Sequence, residues 1–368
     1  MEPMASDRPG RVATGRIPFG GYDSSTSRSA RDAGRLAAGS RDACCASETW
    51  PRLGRLFAPK VIRSRDLGLG DKLSGGEFVA DSEVRELSGN GPLRAHGSLG
   101  RFSWALRSES GDVRPNNEDF AGAYAPTTLD EEWDRGPLFV VCDGLGGHAA
   151  GEVASRTAVE TALATWTTPD PRPAPQGIRA VARAANVAVF EAALEGRRRG
   201  MATTFTALTL AGRQAVIAHV GDSRCYRVRR GSCVQMTADH SRVGEMLRMG
   251  LLSPEQAAKH PGRSQLTRVF GVEPTVQVDV VRTDTDVGDV FVLCSDGLWD
   301  VVANHEIAAR AGAVGTPAAP TAVDAAEQLV ELAVAAGSPD NVTIIVVKVT
   351  TGCAAPAAGA RWSVFRRG

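Results

Sequence analysis

The chain has 368 residues, of which 43% are hydrophobic and 23% are charged, and its 42 basic residues balance its 42 acidic residues. This composition is typical of a soluble globular protein that can bury a sizeable core. Because no basic excess exists, the charge gives no support to a nucleic-acid-binding or membrane-surface protein.

The two ends of the chain lack the periodicity of helices and strands. The N-terminal part is rich in scattered Gly, Ser and Arg and has too little apolar surface to offset the entropy of ordering. We therefore predict that residues 1–98 are a mostly disordered extension and that residues 353–368 are a short tail. A single folded domain is expected over residues 99–352.

Within this region, runs rich in Val, Ile and Thr predict strands, several of them separated by tight turns that favour antiparallel neighbours. The predicted strands cover residues 137–142, 203–210, 214–220, 224–231, 275–281, 289–294 and 341–349. Ala-rich helices are predicted over residues 150–166, 178–196 and 320–336. A shorter helical insertion follows residue 240, with Ser253 as an N-cap and Pro254 in the first turn. Strands in runs, with helices segregated from them, indicate an α+β fold.

Carboxylates stand at the ends of several predicted strands instead of on their faces. Those that follow strands are Asp143, Asp222 and Asp296, and those that precede strands are Glu118, Asp119 and Asp340. Side chains at strand ends can converge at one rim of a sheet, where they repel one another unless they are protonated or face a cation. Each one alone is compatible with a simple turn, because Asp-Gly is a common turn sequence. Together they predict a shared site.

Hard divalent cations are the expected partners of such a site, because Mg²⁺ and Mn²⁺ prefer oxygen ligands. Gly144 has no Cβ, so that its backbone carbonyl can approach an ion. Two ions about 3.5–4 Å apart would activate a water for in-line attack on phosphorus. Arg114 lies four residues before Glu118, and a guanidinium can bind phosphate bidentately. The alternative for Arg114 is a surface ion pair with Asp112 or Glu118.

Eight motifs, taken in order, resemble the type 2C protein phosphatases, the metal-dependent serine/threonine phosphatases, with the bacterial type most similar. The motifs are "RPNNEDF", "VVCDGLGGHAAGEVAS", "MATTFTALTL", "VGDSRCYRVRRG", "MTADHS", "LTRVFG", "LCSDGLWDVV" and "SPDNVTIIVV". The resemblance covers about residues 100–350. It implies a four-layer α-β-β-α sandwich with two central antiparallel sheets and a metal site at one edge.

The resemblance also implies roles for single residues. Asp143 would bridge two Mn²⁺ or Mg²⁺ ions, the Gly144 carbonyl would ligate one of them, and Asp296 and Asp340 would ligate the other. Glu118 would reach an ion mainly through water, Asp119 would support the site, and Arg114 would hold the substrate phosphate. Bacterial members often carry a third, weaker ion, for which the matching positions are Asp222, Ser264 and either Asp296 or Asp300. Residues 241–265 would form a flap over the cleft.

The chain departs from the family pattern at a few positions. Leu145 occupies a position where some eukaryotic members have a histidine, so that a metal-bound water is the better candidate for the leaving-group acid and His148 the weaker one. Ala202 replaces a usual glycine, which puts local packing in doubt. His240, near the flap, is expected to be structural. The sequence "DTDVG" at 284–288 mimics an aspartate-nucleophile motif but is interpreted as a turn.

The expected function is hydrolysis of phosphoserine and phosphothreonine in proteins, in opposition to Ser/Thr kinases. The alternatives are a catalytically weak phosphopeptide-binding or scaffold module of the same fold, and a phosphatase for small phosphate esters. We expect no nucleic-acid or membrane partner, and nothing demands more than a monomer. The seven cysteines form no C-x-x-C pair and no signal peptide is recognisable, which favours a reducing, cytoplasmic location.

Overall fold

The structure, a computed structural model, describes residues 93–126, 135–146, 150–168, 172–194, 196–312 and 320–351. In chain order the strands in these ranges are β1 (Leu93–Leu99), β2 (Phe102–Glu109), β3 (Asp119–Tyr124), β4 (Leu138–Leu145), β5 (Ala202–Thr203), β6 (Phe205–Ala211), β7 (Gln214–Val220), β8 (Arg224–Arg229), β9 (Ser232–Gln235), β10 (Asp279–Asp284), β11 (Val290–Cys294) and β12 (Val342–Val349). The helices are α1 (Ala150–Thr167), α2 (Ala174–Ala193), α3 (Arg242–Arg248), α4 (Pro254–Ala258), α5 (Asp296–Trp299), α6 (Asn304–Ala311) and α7 (Ala322–Ala335).

The strands form two antiparallel sheets. The first has the order β1-β2-β12-β11-β8-β9, and the second has the order β10-β7-β6-β4-β3, with β5 paired to the end of β4. Neighbouring strands are joined by antiparallel ladders throughout, as the short connections predict.

Alternation along the strands divides the core into three layers of side chains. In β4, Leu138, Val140 and Cys142 pack against α1 and α2, whereas Phe139 and Val141 point to the space between the sheets. In the first sheet, Val292 of β11 packs against the layer that holds α6 and α7. The result is the four-layer α-β-β-α sandwich expected from the sequence.

Most of the predicted elements are confirmed. Ser253 caps α4 with a full capping box, and Pro254 stands in its first turn. The second predicted helix begins four residues earlier than expected, at Ala174, because Pro175 is tolerated within the first turn of a helix. The third predicted helix, observed as α7, matches its predicted range within two residues at its N-terminal end.

The edges of the sheets differ from the prediction. β1 precedes the expected domain start at residue 99, and its seven ladder pairs with β2 make it part of the first sheet. β10 begins at Asp279, opposite His219 of β7, and not at residue 275. Apart from β1, residues 1–98 lie outside the described residues, as do residues 353–368. Within the described part, no helix is both long and apolar enough to cross a membrane.

Candidate active site

The predicted acidic residues come from both sheets and meet at one end of the sandwich. Asp119 and Asp143 face each other as direct partners in the β3–β4 ladder. Asp296 opens α5 directly after β11, and Asp340 stands just before β12. The two sheets are tied together at this point, because the Ser295 hydroxyl donates to Asp119 Oδ2 at 2.6 Å.

The backbone of Asp143 is held by two threonines of the neighbouring strands. The Asp143 N–H donates to Thr204 Oγ1 at 2.8 Å, and the Asp143 carbonyl accepts from Thr204 N at 2.9 Å and from Thr203 Oγ1 at 2.8 Å. Ala202, the replacement for the usual glycine, is buried in β5 opposite Leu145. The extra methyl is therefore accommodated without loss of the pairing that fixes Asp143.

Gly144 is required by the close approach of two backbone segments. A Cβ at this position would lie 2.2 Å from the Gly151 carbonyl oxygen and 2.5 Å from that of Glu118. The Gly144 N–H donates to the Glu118 carbonyl at 3.2 Å, and the hydroxyl of Ser155 on α1 donates to the same oxygen at 2.6 Å. The residue thus joins the Glu118 loop to the start of α1, where no larger residue fits.

Burial and mutual repulsion raise the pKa of the carboxyl groups of Asp119, Asp143, Asp222 and Asp296. The pKa of Asp143 is raised well above its ordinary value, first by burial and then by the charges of Asp119, Asp296 and other acidic neighbours. Burial is also the largest cause for the next three groups. The pKa is raised to about 8 for Asp119, about 8 for Asp222 and about 7 for Asp296. Such a cluster attracts cations, because a positive charge removes the repulsion that raises these values.

The same residues offer oxygen ligands suited to a hard divalent cation. Asp296 Oδ1 is buried and has no hydrogen-bond partner among the described residues, so that it has a lone pair to give. In the described part of the chain, no three acidic, histidine or cysteine side chains are already drawn together around one point. The carboxylates of Asp143, Asp296 and Asp340, with the Gly144 carbonyl, fit an ion chemically, and they would adjust their positions to hold it.

Arg114 is the cation that the structure places among these carboxylates. Its guanidinium Nη2 donates to Asp340 Oδ2 at 2.6 Å while half of its side chain stays exposed. This hydrogen bond is the main cause that raises the pKa of Arg114, with smaller contributions from Glu118 and Asp143. The alternative of a surface pair with Asp112 or Glu118 is therefore not what is observed. A fixed positive charge at the mouth of the cluster can meet an anionic group.

The positions considered for a third ion are brought together only in part. Asp222 is buried, and the charge of Asp296 adds to the effect of burial on its pKa. Asp300 instead contacts Arg263, within the segment 241–265 that is predicted to form a flap, through both carboxylate oxygens, at 2.9 and 2.8 Å. Ser264, which follows Arg263 in the chain, is exposed.

Two further predictions concern residues near the site. His240 is buried, accepts the Gly221 N–H at Nδ1 over 3.1 Å and contacts Asp279 Oδ2 through Nε2 at 3.2 Å, which are contacts of a structural residue. The "DTDVG" segment runs from the end of β10 into the turn before β11, as predicted. His148 lies outside the described residues.

Sequence reasoning missed the polar residues that hold the acidic ones in place. These are Thr203, Thr204, Ser295 and Asn341, all of them buried. Asn341 donates from its amide to the carbonyls of Ser110 and Asn116 and accepts the Glu118 N–H. The signals that could have found them are that each one lies next to a strand end and within one of the motifs quoted above.

Known proteins resemble this chain over more than half of its length. Residues 127–332 match the family model described as protein phosphatase 2C. The serine/threonine protein phosphatase PstP of Mycobacterium tuberculosis is 38% identical over 253 residues, which are 67% of this chain and 45% of PstP. The match thus spans less than half of the length of PstP. The serine/threonine phosphatase Stp of Listeria innocua is 34% identical over 248 residues, which are 66% of this chain and 94% of Stp.

Solved structures give the same result. The catalytic domain of the serine/threonine protein phosphatase PstP in complex with two manganese ions aligns with a TM-score of 0.58 and 32% sequence identity. The alignment covers 68% of this chain and 99% of that domain. The similarity therefore extends over the sandwich, and the aligned PstP domain is one that binds manganese.

Proposed function

The chain belongs to the protein phosphatase 2C family, and on that premise we propose that it is a metal-dependent protein serine/threonine phosphatase. It hydrolyses phosphoserine and phosphothreonine in proteins with the help of two divalent cations, Mn²⁺ or Mg²⁺. The single observation that carries the proposal is that carboxylates of both sheets meet at one end of the sandwich, where the half-exposed guanidinium of Arg114 donates to Asp340. Its support from relatives is their names, PstP and Stp, and the two manganese ions of the PstP structure.

The roles proposed for the acidic residues are those that the resemblance to the type 2C phosphatases implies. Asp143, which has acidic neighbours from both sheets, would hold both ions, and the Gly144 carbonyl would hold one of them. Asp296 and Asp340 would hold the other ion, and Glu118 would reach an ion mainly through water. Asp119, which is the ladder partner of Asp143 and accepts from Ser295, would support the site. Asp222 and Asp300 are the candidates for a third ion, with Ser264 as a weaker one.

The chemistry is a direct displacement at phosphorus. When bound, the cations supply Lewis acidity toward the attacking water and toward the phosphoryl oxygens. Arg114 orients the phosphate and neutralises the charge that develops on its oxygens. The P–O bond to the seryl or threonyl oxygen breaks, and this oxygen takes up a proton. His148 is the side-chain candidate for that step, and a water is the stronger one.

The proposed partners are phosphorylated proteins, and the counterpart enzymes are Ser/Thr kinases. A monomer suffices for the proposed chemistry, because all of the acidic positions lie on one chain. A phosphopeptide-binding module without activity is disfavoured, since none of the predicted ligand positions lacks its oxygen donor.

The experiment that tests the proposal is hydrolysis of a phosphothreonine peptide by the full chain. Rates are compared in Mn²⁺ and in EDTA, and again in Mn²⁺ for Asp296→Asn and for Asp284→Asn, the control. Asp284 is exposed and pairs with Arg229, away from the acidic cluster. We expect turnover that requires metal and that falls by at least about 10³-fold in Asp296→Asn only.

Two further substrates make the outcome specific. p-Nitrophenyl phosphate and a phosphotyrosine peptide are tested in parallel with the phosphothreonine peptide. Turnover of the small ester without turnover of the peptide would point to the small-ester alternative. Binding of the peptide without any turnover would instead favour the binding module and overturn the proposal.

A further inference from the structure

Asn341 makes more hydrogen bonds to the loop before β3 than any of the acidic residues do. Its side chain is 4% exposed. Its Oδ1 accepts the N–H of Glu118 at 2.9 Å, and its Nδ2 donates to the carbonyls of Ser110 and Asn116, both at 3.0 Å. One buried amide therefore binds both ends of the segment 110–118, which carries Arg114.

The chemistry of these partners fixes the orientation of the amide. Two of them are carbonyl oxygens, which can only accept, and the third is an N–H, which can only donate. A flipped amide would place like groups against each other at all three contacts. An aspartate at position 341 has the same shape but would turn a carboxylate oxygen toward the two carbonyls.

The residue before Asn341 also contacts this loop. Asp340 Oδ2 accepts from Arg114, and Asp340 Oδ1 accepts from the N–H of Asn341 itself. The Asp340–Asn341 pair thus contacts the loop through a charged hydrogen bond, between Arg114 and Asp340, and through the neutral hydrogen bonds of the Asn341 amide. The neutral contacts are made by a buried amide, whereas the Arg114 side chain is half exposed.

We propose that Asn341 is a positioning residue, which holds the loop so that the Arg114 guanidinium lies beside Asp340, where it can bind a phosphoryl group. The inference rests on the proposed function. The three hydrogen bonds of the Asn341 side chain all go to backbone groups of the loop, so that its amide acts through the loop and through Arg114. Misplacement of a binding group by about 1 Å is enough to lower a rate by about 10²-fold.

The test compares Asn341→Ala and Asn341→Asp with a matched control, Asn186→Ala. Asn186 is also buried, at 1% exposure, and its side chain also binds two backbone groups, the carbonyl of Glu273 and the N–H of Gly271. It lies on α2, away from the loop. Kinetics with the phosphothreonine peptide in Mn²⁺ and the Kd for inorganic phosphate are measured for each variant below its own melting temperature.

We expect Asn341→Ala to lower kcat/KM by about 10²-fold and to weaken phosphate binding, with the same split between kcat and KM as Arg114→Gln. In the Arg114→Gln background the same substitution should change kcat/KM less than about 3-fold, because the group that it positions is gone. Asn186→Ala should leave both kcat/KM and phosphate binding at the wild-type level. Asn341→Ser, which keeps one donor, is the variant to use if Asn341→Ala does not fold.

The inference would be overturned if Asn341→Ala lowered kcat/KM by the same factor in the wild-type and in the Arg114→Gln backgrounds, because this would show that Asn341 only stabilises the fold. A wild-type chain that binds phosphate but has no phosphatase activity would contradict the proposed function and not this inference, since the effect of Asn341→Ala on phosphate binding could still be read.

Discussion

Replacement of Asp296 by asparagine should stabilise the protein without metal and destabilise it, relative to wild type, with metal. Asp296 has a pKa of about 7 in the folded protein against an ordinary value of 3.8. The folded state therefore holds a proton that the unfolded chain has lost, and the carboxyl group lowers stability progressively as the pH rises from about 4 to about 7. At pH 8 the difference of about 3 pKa units corresponds to about 4 kcal/mol.

The uncharged amide of the Asp296→Asn variant escapes this penalty at every pH, but its NH₂ group must find an acceptor in a largely buried place. We therefore expect a net gain of about 2–4 kcal/mol in EDTA at pH 8, which shrinks toward pH 4. In melting temperature the gain amounts to roughly 5–10 °C for a domain of this size.

Mn²⁺ should reverse the order of the two proteins. An ion that binds only the folded state at 100 times its Kd stabilises it by about 2.7 kcal/mol, and the two proposed ions together by about 5 kcal/mol, which exceeds the gain of the variant in EDTA. The wild-type protein receives this stabilisation in full, and the variant, which lacks a proposed ligand, receives less.

The assay is urea unfolding at pH 5, 6, 7 and 8, with EDTA and with Mn²⁺, for wild type, Asp296→Asn and the control Asp284→Asn. Asp284 is exposed, and Arg229 lowers the pKa of its carboxyl group, so that its replacement should have the same effect in EDTA and in Mn²⁺. The reasoning would be refuted if Asp296→Asn were no more stable than wild type in EDTA at pH 8, or if Mn²⁺ stabilised both proteins equally.

Two other substitutions test the packing around the site. His219 is fully buried and its pKa is lowered to about 3, mainly by burial. Below about pH 6.5 the unfolded chain therefore binds a proton at this residue that the folded protein does not bind, and the free energy of unfolding falls as the pH falls from about 6.5 to 3. In His219→Gln, urea unfolding should show a free energy that depends less on pH over that window. Gly144→Ala would place a methyl 2.2 Å from the Gly151 carbonyl oxygen and should destabilise by about 3 kcal/mol or more. Its control is Gly177→Ala inside α2, where the new methyl meets Trp166 at 3.4 Å and should be neutral or stabilise by up to about 1 kcal/mol in the same measurement. An unchanged slope for His219→Gln, or similar effects of the two alanines, would contradict these expectations.

The acidic residues of the site could be predicted from the sequence because each one adjoins a run that is recognisable by itself. The apolar run at the start of β4 is followed, still within the strand, by Asp143-Gly144, and the apolar β11 is followed after Ser295 by Asp296-Gly297. The convergence of these ends follows from antiparallel pairing within two stacked sheets. Local pattern and topology are therefore sufficient for the carboxylates.

The residues that support them could not be predicted, because their partners are far away in the chain. Asn341 binds carbonyls more than 200 positions earlier, and Ser295 binds Asp119 across the two sheets. No local pattern records such a contact. Only the folded arrangement distinguishes these polar residues from those of an ordinary turn.

The misplaced start of β10 has a related cause. The predicted start of β10 at residue 275 followed the alternating pattern, and Val276 and Val278 do pack on the core. Their alternation reflects burial and not the ladder, which begins only at Asp279.

The position of the site between two sheets explains how a stable protein tolerates so many crowded carboxylates. Asp143 belongs to one sheet and Asp296 follows a strand of the other, so that their repulsion tends to separate the layers. The apolar cluster between the sheets, with Phe139, Phe291 and Leu293 fully buried, opposes that separation. Cations that bind the carboxylates would convert the same repulsion into attraction between the layers. Catalytic competence and stability would then depend on the same ions, which is why a single substitution at Asp296 is expected to change stability in opposite directions with and without them.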